Sequence, residues 1–404
     1  MKKLNLTVLL AFLIVANICL AQKVADFSTL PKVKWKMQLG PVFGSPLIDN
    51  GTVYCASQDG FLHAIDLQQG TEKWKFDLHA PSRSTPAIDK DNLYVISESG
   101  VLVNINKNTG KQIWQFSTPQ GTLLERKYDR ADYFQSSPTI AGDKIYFGMG
   151  DYIYAVNLSN GTLAWNFKTG NVVHTKPAIS NDKVIFGSYD GNVYALATQT
   201  GLMHWKFKTV GQRFFPNGEV MGNPVVIKNQ VFVGARDYNF YAIDANSGYC
   251  NWNRQFPRGW ALAATALRDS MLYLGTSDDY VMIAMDPRSG TEAWRASVKY
   301  NIFGGMATSS SMGYFGTLMG RLYAVDLKTG AVKWMFEGES TKKNKDKYFG
   351  ADDKHLDAII PSLYNFDNFL KLYADMGGIF STPAINGNAI VHAGADGVIY
   401  CLER

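Results

Sequence analysis

Cysteine is scarce in this chain, with four in 404 residues. Cys19 falls inside an N-terminal apolar run, and the other three, Cys55, Cys250 and Cys401, are scattered and odd in number. That pattern excludes a disulfide framework, a CxxC metal pair and a CxxCH haem attachment, and leaves the three as small buried apolar side chains. Charge of one sign is lacking as well. The formal net charge of +5 falls to +3 once Lys2 and Lys3 are removed with a leader, too little to argue for a nucleic-acid partner. No phosphate-binding loop, Ser/His/Asp arrangement or zinc signature occurs. Long hydrophobic runs are also missing. The run from Leu6 to Ile18 is shorter than the roughly 20 residues a bilayer span requires, so no transmembrane segment is expected in the mature chain.

What is present begins with "MKKLNLTVLLAFLIVANICLA", two lysines and then the apolar run, with Cys19 and Ala21 as small residues at the −3 and −1 positions of a cut before Gln22. Residues 1–21 are therefore expected to be a signal peptide, residues 22–32 a linker, and the mature protein periplasmic or secreted. Lipid anchoring at Cys19 is not expected, because Ile18 stands where a small residue is required. The remainder, with 46% hydrophobic and 19% charged residues over the whole chain, has an ordinary globular composition.

The dominant feature is repetition. Tryptophans stand at Trp35, Trp74, Trp114, Trp165, Trp205, Trp252, Trp294 and Trp334, and all but the first have a glycine four residues earlier: Gly70, Gly110, Gly161, Gly201, Gly248, Gly290 and Gly330. A period of about 40 to 50 residues signals a repeat architecture in which each unit buries a face against its neighbours. Segments such as "NVYALA" and "RLYAVD" alternate with period 2 between Gly, Asp, Asn and Pro, so the unit is built of short antiparallel strands. Prolines 46, 86, 138, 177, 224 and 383 open a first strand that must be an edge, since proline cannot donate to a ladder. The turn aspartates Asp66, Asp244, Asp286 and Asp326 suit a tight turn that ends in glycine. Each tryptophan then packs between adjacent units, its indole N–H on a backbone carbonyl. The chain ends at "VIYCLER" without a fourth strand, and the missing one lies at the start, around Trp35. The expected fold is all-β, an eight-bladed β-propeller of four-stranded antiparallel blades over residues 33–404, closed by the N-terminal strand.

The pattern A-x-D-x-x-T-G-x-x-x-W, as in "AVDLKTGAVKW" at 324–334, resembles the pyrroloquinoline-quinone-type propeller repeat, and the resemblance extends over 33–404. The Gly-His and Trp-Asp signatures of WD40 repeats are absent. The resemblance implies one of two branches: quinoprotein alcohol and sugar dehydrogenases, or exported non-catalytic propellers of the BamB type, which assist outer-membrane β-barrel assembly. Dehydrogenases of the family are usually longer, and many carry an adjacent Cys-Cys pair over the quinone and a carboxylate and amide set for Ca²⁺; this chain has no such pair. Its length resembles the BamB type. No catalytic, cofactor-binding or metal residue is therefore assigned, and pyrroloquinoline quinone with Ca²⁺ belongs to the alternative reading alone. Asp352, Asp353 and His355 in "GADDKH" lack the spacing of a metal motif and read as a solvated loop. His63 and His392 sit in strand patterns.

Departures from the repeat locate a candidate face. In the expected strand order, the link from a fourth strand to the next blade lies on the same side as the Asp-Gly loops, and every long insertion uses that link. These insertions carry Arg126, Lys127, Tyr128 and Arg130, then Arg213, Phe214 and Phe215, and then Lys342, Lys343 and Tyr348, with Arg254, Arg258 and Trp260 in a shorter link. Arginine with aromatics is the composition of interface anchors. The longest insertion, 338–380, is partly helical: Ile359, Leu363, Phe366, Leu370 and Tyr373 share one apolar helical face and Gly377 offers a stop. This helix is expected to pack over the mouth of its own propeller. The chain thus reads as an exported, non-enzymatic, monomeric scaffold with an envelope protein partner, in the manner of an outer-membrane β-barrel assembly factor. Quinone-dependent oxidoreduction is the first alternative and glycan or peptide binding the second.

Overall fold

The turn after Asp66 shows how one unit locks to the next. The Asp66 carboxylate accepts the amides of Gln68 (2.8 Å) and Gln69 (2.9 Å), and the Gly70 amide donates back to the Asp66 carbonyl at 2.8 Å. Gly70 takes φ of +70°, and a Cβ there would lie 2.5 Å from the ring of Trp35. The glycine is needed twice over, for the left-handed backbone and for the indole of the preceding blade pressed against it. That indole donates to the Leu67 carbonyl at 2.8 Å. The same contact recurs around the molecule, from Trp74 to Lys107, Trp165 to Thr198, Trp205 to Ala245, Trp252 to Pro287 and Trp294 to Leu327. The repeated glycine and tryptophan therefore meet between blades and not within one.

A computed structural model describes residues 24–119, 133–262, 266–268 and 271–404. Within them eight four-stranded antiparallel sheets form a ring of blades. Blades 1 to 7 span 47–77, 87–117, 139–168, 178–208, 225–255, 266–297 and 307–337, and blade 8 joins 384–403 to Lys32–Gln38. In blade 4, the second strand Lys183–Gly187 is buried throughout and the outer strand Met203–Lys208 is largely exposed. Middle strands are covered by neighbouring blades on both faces, which is why they are so apolar.

The ring closes as the split repeat requires: Lys32 pairs with Glu403 and Gln38 with Val398, antiparallel. The segment ahead of that strand, expected as a linker, is also seated. Phe27 is fully buried, its amide donates to the Tyr314 hydroxyl at 2.8 Å, and its carbonyl accepts the Trp334 indole N–H at 2.6 Å. Blade 8 has no turn after Glu403 to receive that indole, and Phe27 supplies the carbonyl in its place. Asp26 accepts from Ser309 and Ser311 (2.6 to 2.7 Å). The same missing turn explains why seven glycines accompany eight tryptophans.

The insertion between blades 7 and 8 holds α1 (Glu339–Tyr348), α2 (Ile360–Leu363) and α3 (Phe366–Met376). The single expected helix is thus divided. Asn365 is extended and its side chain accepts the Asp367 amide at 3.0 Å, capping a new helix; Gly377 ends it with φ of +66°. Lysine-rich α1 has no apolar stripe and was not foreseen. Among the described residues no helix is long and apolar enough to cross a membrane.

Candidate interaction face

The side that carries the insertions is roofed by an apolar cluster. Leu372 and Met376 of α3 pack with Leu318 and Met319 of blade 7, Ala395 of blade 8, and Phe380. As expected, α3 lies over the mouth of its own propeller, although its fully buried positions are Leu372 and Met376, one step along from the stripe read off the sequence.

Beside this roof the link 209–224 folds into a tight loop. Gln212 and Phe215 exchange backbone hydrogen bonds at 3.1 Å, which puts Arg213 and Phe214 at the tip. The Phe214 side chain is 72% exposed and Val210 71%, with the Arg213 guanidinium 5.7 Å from the Phe214 ring. Phe215 turns inward, edge-on to Trp260 at 5.2 Å. Between them lies Arg236, its guanidinium 4.3 Å from Phe215 and 4.5 Å from Trp260. This stack, a buried guanidinium between two half-buried rings, fixes the loop to blade 5. Sequence reading passed over Arg236 because it stands in a strand-connecting loop of ordinary repeat length.

The other anticipated residues divide. Arg126, Lys127, Tyr128 and Arg130 lie outside the described residues. Arg254 belongs to the outer strand Cys250–Gln255 and not to the following link; its guanidinium pairs with Glu292 of blade 6 at 2.5 Å, so it ties two blades together. Arg258 is exposed, close enough to Tyr280 to act on its hydroxyl. Lys342 and Lys343 are exposed on α1, and the Tyr348 hydroxyl donates to Asp375 of α3. Further apolar exposure comes from Tyr364, at 88%, and from Ile360.

The loop "GADDKH" is not solvated as a whole. Asp352 is exposed, but Asp353 accepts two hydrogen bonds from Arg321 (2.7 and 3.0 Å) and pairs with Lys345 at 2.8 Å. Arg321 also holds Glu337 at 2.7 Å. Burial works against ionisation of Asp353, yet the bonds from Arg321 and Lys345 outweigh it and hold its pKa below the usual value. His355 stacks on Phe349 at 4.6 Å and meets the Tyr300 hydroxyl at 3.1 Å; burial lowers its pKa. The cluster is a clamp that fastens the insertion to blade 7. Burial also drives His392 down to about 3.

Among the described residues no three His, Cys, Asp or Glu side chains are arranged to hold a metal. Beneath the roof, on the axis, lies a cavity of about 70 Å³. A groove of about 440 Å³ lies on the opposite face between blades 6 and 7, lined by Met271, Tyr273, Trp294, Ser310, Leu327 and Lys328 among others.

The family described as outer membrane protein assembly factor BamB matches residues 28–148, 124–215 and 212–353. Among solved structures, BamB from Moraxella catarrhalis is similar at 15% identity and a TM-score of 0.68, over 93% of this chain and 100% of that one. The computationally designed protein Ika8 is similar at 14% identity and a TM-score of 0.70, with the same coverage. Quinohemoprotein alcohol dehydrogenase from Comamonas testosteroni is similar at 13% identity and a TM-score of 0.65, over 92% of this chain and 76% of that one. At these identities the likeness is one of fold. No curated protein matches the chain in sequence.

Proposed function

Because the chain belongs to the family of outer membrane protein assembly factor BamB, we propose that it is a non-catalytic propeller scaffold of the cell envelope that assists outer-membrane β-barrel assembly through its elaborated face. The observation that carries this reading is the concentration on that face of exposed anchors, Phe214, Tyr364, Val210 and Ile360, among the cations Arg213, Arg258, Lys342 and Lys343. Large apolar groups open to water beside arginines are what a protein partner buries. The Phe215–Arg236–Trp260 stack and the Asp353 clamp hold the loops that present them, which lowers the ordering cost of binding. The test is capture of the β-barrel assembly machinery from envelope extract. Phe214→Asp with Arg213→Glu, and separately Tyr364→Asp, should abolish capture, while Leu202→Asp, at an exposed position outside the insertions, should leave it intact. Capture unchanged by the face variants, or lost equally in the control, overturns the reading.

Quinone-dependent oxidoreduction stands as the second reading because the fold is shared with quinohemoprotein alcohol dehydrogenases. Against it stand the absent Cys-Cys pair and the axial cavity of about 70 Å³, small beside the roughly 300 Å³ at which cofactor pockets begin. Tight, saturable uptake of pyrroloquinoline quinone with Ca²⁺, followed by tryptophan fluorescence, would favour it over the scaffold.

A further inference from the structure

On the side away from the insertions, the boundary between blades 6 and 7 lacks a bridge that another boundary has. Where blade 3 meets blade 4, Lys144 at the head of a second strand reaches across to Gln199 in the neighbouring turn, at 2.6 Å. The residues at the same places across blades 6 and 7 are Met271 and Lys328. A thioether is at best a weak acceptor, and among the described residues the Lys328 ammonium has no partner. A groove of about 440 Å³ therefore stays open here, with Met271, Trp294 and Leu327 half-buried along its walls and Lys328 exposed at its edge.

The next boundary, between blades 7 and 8, shows what such a surface takes. Tyr314 and Trp334 of blade 7 stand 5.8 Å apart at 34°, and Tyr273 and Trp294 of blade 6 stand 5.8 Å apart at 37°. Met312 corresponds to Met271. Against Met312, Tyr314 and Trp334 packs Phe27, its ring 5.7 Å from that of Tyr314 and 5.1 Å from the Arg404 guanidinium, while the adjoining Asp26 carboxylate bonds Ser309 and Ser311. One extended segment thus brings an acidic residue followed by an aromatic one. The groove between blades 6 and 7 repeats the apolar trio and again sets a cation beside it. It differs in its polar groups: the Leu327 carbonyl already takes the Trp294 indole N–H at 2.9 Å, and Ser310 and Ser311 are bonded to Val24 and Asp26. What remains for an occupant is an apolar wall and one positive charge.

We propose that this groove receives an extended segment of a protein partner, an aromatic side chain entering between the blades and an adjacent carboxylate meeting Lys328. The volume, about 440 Å³, falls in the range of about 300 to 1,000 Å³ typical of binding pockets. An aromatic ring supplies most of the buried area, and the charge sets its register. The groove lies away from the insertions, so its occupant binds independently of the elaborated face.

The test titrates the mature protein with an acetylated, amidated peptide Gly-Asp-Phe-Gly, by calorimetry and tryptophan fluorescence, beside the same peptide with asparagine for the acid or alanine for the ring. One equivalent of the acidic peptide should bind saturably, the asparagine peptide a few-fold more weakly, and the alanine peptide not measurably. Lys328→Gln should weaken the acidic peptide about threefold, the worth of one exposed ion pair, and leave it level with the asparagine peptide. Met271→Lys combined with Lys328→Gln rebuilds the bridge seen between blades 3 and 4 and should close the groove to both peptides with the fold kept. No saturable binding, or binding untouched by the double variant, overturns the proposal. So do two other occupants: binding that appears only in a chain begun at Val24 gives the groove to the residues ahead of it, and dimerisation that is lost in the double variant gives it to a second copy.

Discussion

Gly330 and Gly142 separate the two demands that a turn glycine can meet. Both have positive φ, +72° and +59°, but a Cβ on Gly330 would strike the Trp294 ring at 2.5 Å, whereas one on Gly142 meets nothing within 4 Å. Gly142→Ala should cost about 1 kcal/mol for the backbone alone. Gly330→Ala should cost clearly more in urea unfolding, because the indole must also move. Equal costs would mean that the tryptophan lock carries no stability. Blade 2 supplies the complementary case. Asn104 stands opposite Tyr94 and Trp114, where other blades place Ala64, Ala155, Ala195, Ala242, Ala284 and Ala324. Tyr94 Oη, Asn104 Oδ1 and Trp114 Nε1 are all buried without a protein partner. Asn104→Ala restores the repeat and should raise stability by about 1 kcal/mol by removing a poorly satisfied amide.

Among the elements, the insertion is held by the apolar packing of α3 and, at α1, by a charge clamp. Asp353 joins Arg321 of blade 7 to Lys345 of α1, and its pKa lies below the ordinary 3.8. A carboxyl with a depressed folded pKa contributes stability that is fully present above its unfolded pKa and is lost as pH falls through the folded one. Acid below about pH 4 should therefore loosen α1 while the blades persist. Hydrogen exchange of the α1 amides at pH 3.5 and below, set against pH 7, checks this; Asp353→Asn should show the same loosening at pH 7. Protection of α1 unchanged by acid or by the variant would show that α3 packing alone holds the insertion. The helix division at Asn365 was legible in principle from Asn-Phe-Asp, a capping residue before a helix start, but the stripe on either side reads as continuous because apolar spacing cannot register a break of one turn.

At the level of the whole molecule, the ring depends on two N-terminal contacts. Strand Lys32–Gln38 completes blade 8 and Phe27 completes the last tryptophan contact. Phe27→Ala removes a fully buried ring and should cost about 3 to 5 kcal/mol, read as a lower urea midpoint. A near-neutral result would mean that strand pairing alone closes the circle. Elaboration of one face follows from the same topology, since links between blades emerge on the side of the loops joining second to third strands, and a rigid ring tolerates long insertions there.

Period, strand count and closure were all present in the sequence, because a repeat writes the same packing demand into every unit: a glycine where φ must be positive, a tryptophan at fixed reach, a proline where no ladder bond is made. Tertiary structure decided what depends on distance between units. It showed that seven of the eight repeat tryptophans rest on the next blade's glycine while Trp334 bonds Phe27, that Ser45, Thr85, Ser137 and Thr382, each just before a proline, link the blades through their hydroxyls, and that Arg254 ties blades together while Arg213 and Phe214 face solvent. Those outcomes turn on which side chains converge from positions forty or more residues apart, and local spacing carries no record of that convergence.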